Sequence, residues 1–291
     1  MGVMKVVDLH HFESLSPVFK GKLGNHLAQA IMKFLAIDKI TQVYLNSGHL
    51  TGAEFTQGLL NDLGVNYMIG NPDHLTKLPE GSFITIANHP YGGLDGVILI
   101  DLMAGLRPDF RLMVNEILLL IKTLADNFIS VTPTGNFKKG ITAASMNGIR
   151  KTLAHLREGH PVGFFPSGAV SDLSLLEGRV RDRKWQESIL HLIHRVKVPI
   201  LPIRFFDGNS AFYYMLGLLN WRIRVLRVPS EVFNKSNRLT RIGIGEILSV
   251  EEQKQYTTPA SFGAFLRKSV YEMPLPENFI PRSDLNNILS P

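Results

Sequence analysis

From residue 66 onward the sequence alternates short, nearly continuous apolar runs with longer stretches of helical period. Tyr67–Ile69, Ser82–Ala87, Phe110–Val114, Ile129–Val131, Pro161–Phe165, Pro199–Phe206 and Ile242–Ile247 read as strands; residues 95–106, 115–126, 141–158 and 184–195 read as helices. Apolar runs without polar alternation fit strands covered on both faces. The alternation therefore predicts an α/β fold: a mixed, largely buried sheet flanked by helices, spanning residues 66–273. Ahead of it, residues 1–65 read as an N-terminal helical segment, with Leu23, Leu27, Ile31, Phe34 and Leu35 at helical spacing. Thr51 followed by Glu54 has the pattern of a capping box. This segment either packs on the core or offers an apolar surface to lipid. Residues 274–291, rich in Pro and Asn, read as a surface tail.

Composition narrows the function. The absence of cysteine among 291 residues excludes disulfide scaffolds, cysteine-held metals and a thiol nucleophile. The apolar segments 96–106 and 117–125 are too short to span a bilayer, and Asp101 and Lys122 interrupt them. The first residues carry acids and histidines where a signal peptide has its apolar run, so a cytoplasmic location is expected. Lys and Arg number 31 against 25 Asp and Glu, while charged residues make up only 19%. A basic excess on a weakly charged chain suits the inner face of a membrane. The basic groups are dispersed and no aromatic-basic RNA motif occurs, so no nucleic acid partner is expected.

The most informative stretch is 82–98, SFITIANHPYGGLDGVI. A strand-like run ends in Asn88-His89-Pro90, and Asp95 stands where a helix should start. Loops at the carboxyl ends of strands are the usual ligand sites of open α/β sheets. Gly92 and Gly93 allow the loop to fold back so that Asp95 receives one imidazole N–H of His89. The other ring nitrogen is then a general base for a hydroxyl. The alternative is structural, with Asp95 a helix cap and His89 a turn residue.

A second loop, PVGFFPSGAVS at 161–171, ends its strand at Pro166. Ser167 and Gly168 place backbone N–H groups at its tip, suited to an oxyanion. The motif lacks a nucleophile elbow, which disfavours a serine hydrolase. Behind it, Arg179, Arg181, Arg183 and Lys184 form either a solvated basic face or an anion site. His191 and His194 read as a helix surface and not a metal site, and no metal is expected. Phe212, Tyr213 and Tyr214 with Trp221, Arg222 and Arg224 have the make-up of an interfacial anchor or of a buried helix ending in a basic turn.

The order NHPYGGLDG, FFPSGAVS and VPILPIRF is similar to the lysophospholipid acyltransferase family, over about residues 80–260. The resemblance implies a glycerol-3-phosphate acyltransferase-like fold, His89 as general base and Asp95 as its orienting partner. It further implies that Asn88, Gly92, Gly93, Phe165, Pro166, Ser167 and Gly168 line the substrate region, and that Val198, Pro199, Ile200 and Pro202 form a strand beside the donor. The spacing here is one residue longer than the family's His-x4-Asp. Ser167 replaces its Glu, and Lys138 and Lys139 stand where it has a phosphate-binding Arg. These departures resemble a bacterial aminolipid O-acyltransferase and hemolysin-like branch, in which Phe-Pro-Ser-Gly precedes a stretch like Arg181, Asp182 and Trp185. The implied reaction moves an acyl chain from acyl carrier protein or a coenzyme A thioester to a lysolipid hydroxyl, without a cofactor. Arg181 is an implied substrate contact, and a basic flank of Lys138, Lys139, Arg150 and Lys151 would steer an acidic carrier protein. A catalytically silent lipid-binding protein on the same fold is the competing expectation.

Overall fold

The computed structural model describes residues 42, 46–131, 143–236 and 238–289. The stripe from Leu23 to Leu35, and Lys138 and Lys139, lie outside the described residues.

The chain order is α1 (Gly52–Asp62), β1 (Tyr67–Gly70), β2 (Ile84–Ala87), α2 (Gly93–Leu99), β3 (Arg111–Asn115), β4 (Phe128–Val131) and α3 (Ala143–Arg157). It continues with β5 (Val162–Phe164), β6 (Asp172–Ser174), β7 (Arg179–Arg181), α4 (Glu187–Val196), β8 (Ile200–Phe205), α5 (Ala211–Leu219) and α6 (Trp221–Phe233). It closes with β9 (Thr240–Ile244), α7 (Val250–Gln253), α8 (Pro259–Tyr271), β10 (Phe279–Pro281) and α9 (Leu285–Leu289). Eight strands form one mixed sheet, ordered β10-β1-β9-β8-β2-β5-β3-β4. Pairing is parallel except between β1 and β10 and between β8 and β9. Strands β6 and β7 form a separate antiparallel ribbon.

The strand pleat divides the core. All four residues of β2 are buried: Ile84 and Ile86 pack with Phe164, Ile193, Phe262 and Leu266, whereas Phe83 and Ala87 pack with Leu94, Ile98 and Leu201. Helices α4 and α8 thus cover one face, and α1 and α2 the other. Each fully buried aliphatic side chain contributes about 1.5–3 kcal/mol. Pro202 cannot donate to a ladder, and the pairing reflects it. Ile203 pairs with Ile244 while Ile200 bridges to Leu248, so one extra residue bulges opposite Pro202. The Pro202 carbonyl still accepts the Gly245 N–H at 2.8 Å.

Several expectations need correction. Thr51 makes no side-chain bond at the start of α1, so the capping box with Glu54 does not form. The expected helix over 115–126 is two 3₁₀ stretches, Glu116–Leu120 and Lys122–Asn127. Its core contacts are Leu118, Ile121 and Leu124, a spacing of three that keeps side chains on one side of a 3₁₀ turn. The helix expected to begin at 95 starts at Gly93 and widens into a π turn over Ile100–Ala104. Segment 212–227 breaks at Asn220 into α5 and α6. The segment after 274 adds β10 to the sheet edge and α9 beyond it.

That last segment is tied in by a buried carboxylate. Asp101, 2% exposed, accepts the Tyr67 hydroxyl at 2.5 Å and Arg282 Nε at 3.0 Å. Burial and the neighbouring carboxylate push the Tyr67 phenol up, so it remains a donor. Arg282→Ala leaves Asp101 without its cation, and is expected to lower unfolding free energy by about 3 kcal/mol in urea titrations.

Candidate active site

The carboxyl ends of β2, β5 and β8 lie side by side, because β2 pairs in parallel with both neighbours. The loops that follow these strands carry the residues singled out by the sequence. Asn88 closes the β2–β8 seam: its amide donates to the Phe205 carbonyl at 2.9 Å and accepts the Phe205 N–H at 2.8 Å. His89 then points one ring nitrogen at the start of α2. Its Nδ1 lies 2.6 Å from Oδ2 of Asp95, which is fully buried. The same carboxylate accepts the N–H of Tyr91 at 2.9 Å and of Gly92 at 3.3 Å.

Asp95 sits in the first turn of α2, where its carboxylate both accepts an N–H at the helix start and lies against the imidazole. Burial pushes its carboxyl above the usual carboxylate range, opposed by His89 and the two N–H donors. The longer His-x5-Asp spacing is absorbed at Gly92, whose φ of +92° is open to glycine. A side chain there would also press on Val170 and Val228. Gly93 faces open space.

The second loop lies against the ring. Phe165 stacks on His89 with centroids 4.1 Å apart and planes 26° apart. The Pro166 carbonyl accepts the Gln186 N–H. Ser167 is nearly buried, and its hydroxyl donates to the Ala169 carbonyl at 2.7 Å, as a turn residue and not a poised nucleophile. The Gly168 N–H, expected to face an oxyanion, is instead bonded to the Phe165 carbonyl at 2.9 Å. Gly168 also has φ +62°, with Gln186 packed where a Cβ would stand. Arg181 reaches Glu177 at 3.4 Å and lies 5.1 Å over the Tyr271 ring.

Its neighbour is the residue that the sequence reading quoted without giving it a role. Asp182 accepts the His89 backbone N–H at 3.1 Å, the Ser171 hydroxyl at 2.6 Å and Trp185 Nε1 at 3.0 Å. Ser171 N–H returns a bond to the His89 carbonyl at 2.8 Å. Two carboxylates therefore hold His89, one at the ring and one at the backbone. Asn209, after β8, donates to the carbonyls of Pro90 and Tyr91, and the Tyr214 hydroxyl donates to Pro90. The Arg224 guanidinium is buried and ties α6 to the Val170 and Ser171 carbonyls and to Asp172.

A histidine whose ring nitrogen lies against a buried carboxylate, at a loop between parallel strands, is an arrangement able to take a proton from a hydroxyl. The family model described as "Acyltransferase" matches residues 16–275. The chain belongs to the acyltransferase family. Two curated relatives carry the name lyso-glycine lipid O-acyltransferase. The protein from Bacteroides thetaiotaomicron is 24% identical over 252 residues, covering 84% of this chain and 88% of that protein. The protein from Phocaeicola vulgatus is 23% identical over 287 residues, covering 93% and 99%. Family membership favours an enzyme over the silent lipid-binding alternative.

Other titratable clusters lie elsewhere. His194 bonds the Tyr256 carbonyl at 3.0 Å and packs on Phe262. His155, Glu158 and His160 come within reach of a single ion, in a cleft of about 780 Å³ that also includes Asp101, Asp109 and Arg282. Both histidines already bond Asp109, at 2.8 and 2.7 Å. Asp109 precedes β3, so this cleft is at the opposite end of the sheet from His89.

The Asp182 node makes a sharp prediction. Asp182→Asn keeps an acceptor for His89 and Ser171 but turns an amide donor toward the Trp185 N–H. It is expected to destabilise by about 1–3 kcal/mol. In a Trp185→Phe background the same change is expected to cost less, and the coupling is read from a urea double-mutant cycle.

Proposed function

We propose that this acyltransferase moves a fatty acyl group from a thioester, on acyl carrier protein or coenzyme A, to the hydroxyl of a lysolipid, as a step in building membrane lipids. The observation that carries the reading is the 2.6 Å contact between His89 Nδ1 and the fully buried Asp95, which leaves Nε2 as the ring's other nitrogen. The acceptor hydroxyl gives its proton to His89 Nε2 as its oxygen bonds to the thioester carbonyl carbon. The tetrahedral adduct collapses by breaking the carbon–sulfur bond. The departing thiolate takes the proton from the imidazolium, leaving an ester, a free thiol and a neutral base. Asp95 fixes the tautomer and stabilises the imidazolium while it exists. Phe165 keeps the ring from turning out of line.

A lyso-aminolipid, of the lyso-glycine class, is the favoured acceptor. The names of both relatives support it. So does the cation inventory: Arg224, the buried guanidinium nearest the loop, is engaged by two carbonyls and Asp172, which makes it a poor phosphate contact. Arg150 and Lys151 on α3 remain the described part of the basic flank proposed to receive an acidic carrier. No helix among the described residues is long and apolar enough to cross a membrane. Peripheral association with the inner face of the cytoplasmic membrane is the arrangement that fits a lipid acceptor and a carrier-borne donor.

Transfer of a radiolabelled acyl group from each donor to lyso-glycine lipid, lyso-ornithine lipid and lysophosphatidic acid tests the reading. Label is expected in the two-chain aminolipid. His89→Ala is expected to lower turnover about 10²–10⁴-fold. Asp95→Asn, which presents the wrong hydrogen-bond partner to Nδ1, should approach the ~10⁴-fold loss known for such triad changes. Equal background counts for wild type and His89→Ala with both donors would sink the proposal.

A further inference from the structure

Helix α5 has the sequence AFYYMLGLL, apolar on every side apart from two tyrosine hydroxyls. A helix that is apolar all round is normally enclosed. This one is enclosed on one side only. Tyr213 and Tyr214 are buried, and the Tyr214 hydroxyl bonds the catalytic loop at Pro90. Opposite them Phe212, Met215, Leu218 and Leu219 stand in solvent, Leu219 at 83% exposure. Ile223, just into α6, is exposed as well. Helix α5 packs on β6, and the turn joining β6 to β7 carries Leu175 and Leu176, the latter fully exposed. Two leucines at the tip of a ribbon beside an apolar helix face bury almost nothing among the described residues.

We infer that α5, the start of α6 and the β6–β7 tip form the face by which the protein lies on an anionic lipid surface, with its acyl-transfer loop held against the bilayer. The inference rests on the lysolipid reading of that loop for its purpose. Charge points to lipid over an acidic or neutral protein groove. Residues 171–184 and 211–233 together hold seven Lys and Arg against four Asp and Glu. Arg179 is exposed on the same ribbon as the two leucines, and Arg183, exposed two residues past the ribbon, pairs with Asp172. Apolar side chains flanked by arginines are what an interfacial helix presents to headgroups. The platform is rigidly joined to the chemistry. Arg224 bridges α6 to Val170, Ser171 and Asp172, and Ser171 in turn bonds His89. Val228 of α6 lies beside Gly92. The apolar face and His89 are thus joined through one hydrogen-bonded network.

The test is flotation of the full chain with mixed phosphatidylethanolamine–phosphatidylglycerol vesicles, alongside transfer to a short-chain lysolipid kept below its micelle concentration. Wild type is expected to float. Leu176→Glu with Leu219→Glu should weaken partitioning roughly tenfold or more, each charge replacing a buried apolar group. Leu175→Glu with Leu176→Glu, confined to the ribbon tip, should act in the same direction. Activity on the dispersed acceptor should be unchanged in both variants. Flotation equal in all three proteins, or in none, overturns the inference. So does wild type that sediments as a dimer and becomes monomeric in the variants without binding vesicles, which would make the face a contact between two copies. Absence of transfer to every acceptor would count against the reaction alone, since flotation reads the surface independently.

Discussion

A fully buried carboxylate at the start of α2 is the constraint around which the His89 end of the sheet is arranged. Removing such a charge from water costs several kcal/mol unless it is paired and hydrogen-bonded. Asp95 is compensated by three donors, the Tyr91 and Gly92 N–H groups and His89. Each compensation dictates something further. The two N–H bonds require the chain to double back within four residues, which requires the positive φ of Gly92. The turn in turn exposes the carbonyls of Pro90 and Tyr91, which Asn209 and Tyr214 satisfy from the loop after β8 and from α5. The placement of His89 and the local architecture thus have one origin, since both follow from satisfying Asp95.

Asp182 extends the same logic to the other side of the histidine. It faces three donors and closes a ring that runs from its side chain to the His89 N–H and from the His89 carbonyl to Ser171 and back. With Phe165 stacked on the imidazole, neither the ring nor its backbone is free to drift. Arg224 then joins this ring to α6, so the exposed apolar face and the histidine move as one body. In the orientation inferred above, such a link would fix the height of His89 above the bilayer, which a docking surface on a loose element would not.

How much of this was legible in the sequence depends on whether the signal was local. β2 was, because a short continuous apolar run closed by Asn88-His89-Pro90 fits a strand covered on both sides, and the His89–Asp95 contact forms where that run ends. The Gly92-Gly93 pair anticipated the turn that brings Asp95 back to His89. The two 3₁₀ stretches were not legible: Leu118, Ile121 and Leu124 satisfy a helical stripe nearly as well as a period of three, and only the core they meet decides. Asp182 was hidden among arginines that suggested a basic face, yet the carboxylate is the member that turns inward. Gly168 misled for a related reason. Its freedom of backbone is used to let Gln186 approach, while its N–H closes the turn onto Phe165. The two leucines of the ribbon tip gave no signal, since a short apolar pair in a loop has no period to read.

The surroundings of the pair also suit one kind of reaction. Burial pushes Tyr213 up to about 12 and Tyr91 and Tyr214 higher still, so the walls beside Asp95 stay neutral. Lys235, buried 5.2 Å over the Tyr91 ring, is lowered by burial and balanced by Glu231. A hydroxyl and a thioester are uncharged, and bring no charge into this setting. In the mechanism proposed above, charge separates only as the proton passes to His89, and at that moment the new imidazolium stands against Asp95 in a weakly screened interior. The attraction is therefore much stronger in the transition state than before it, which is the difference that accelerates a reaction. A site that had to hold a phosphate in the ground state would need a free cation beside the base, and would lose part of that difference. The buried Arg224 guanidinium is instead tied to the Val170 and Ser171 carbonyls and to Asp172, in keeping with the acceptor class proposed above.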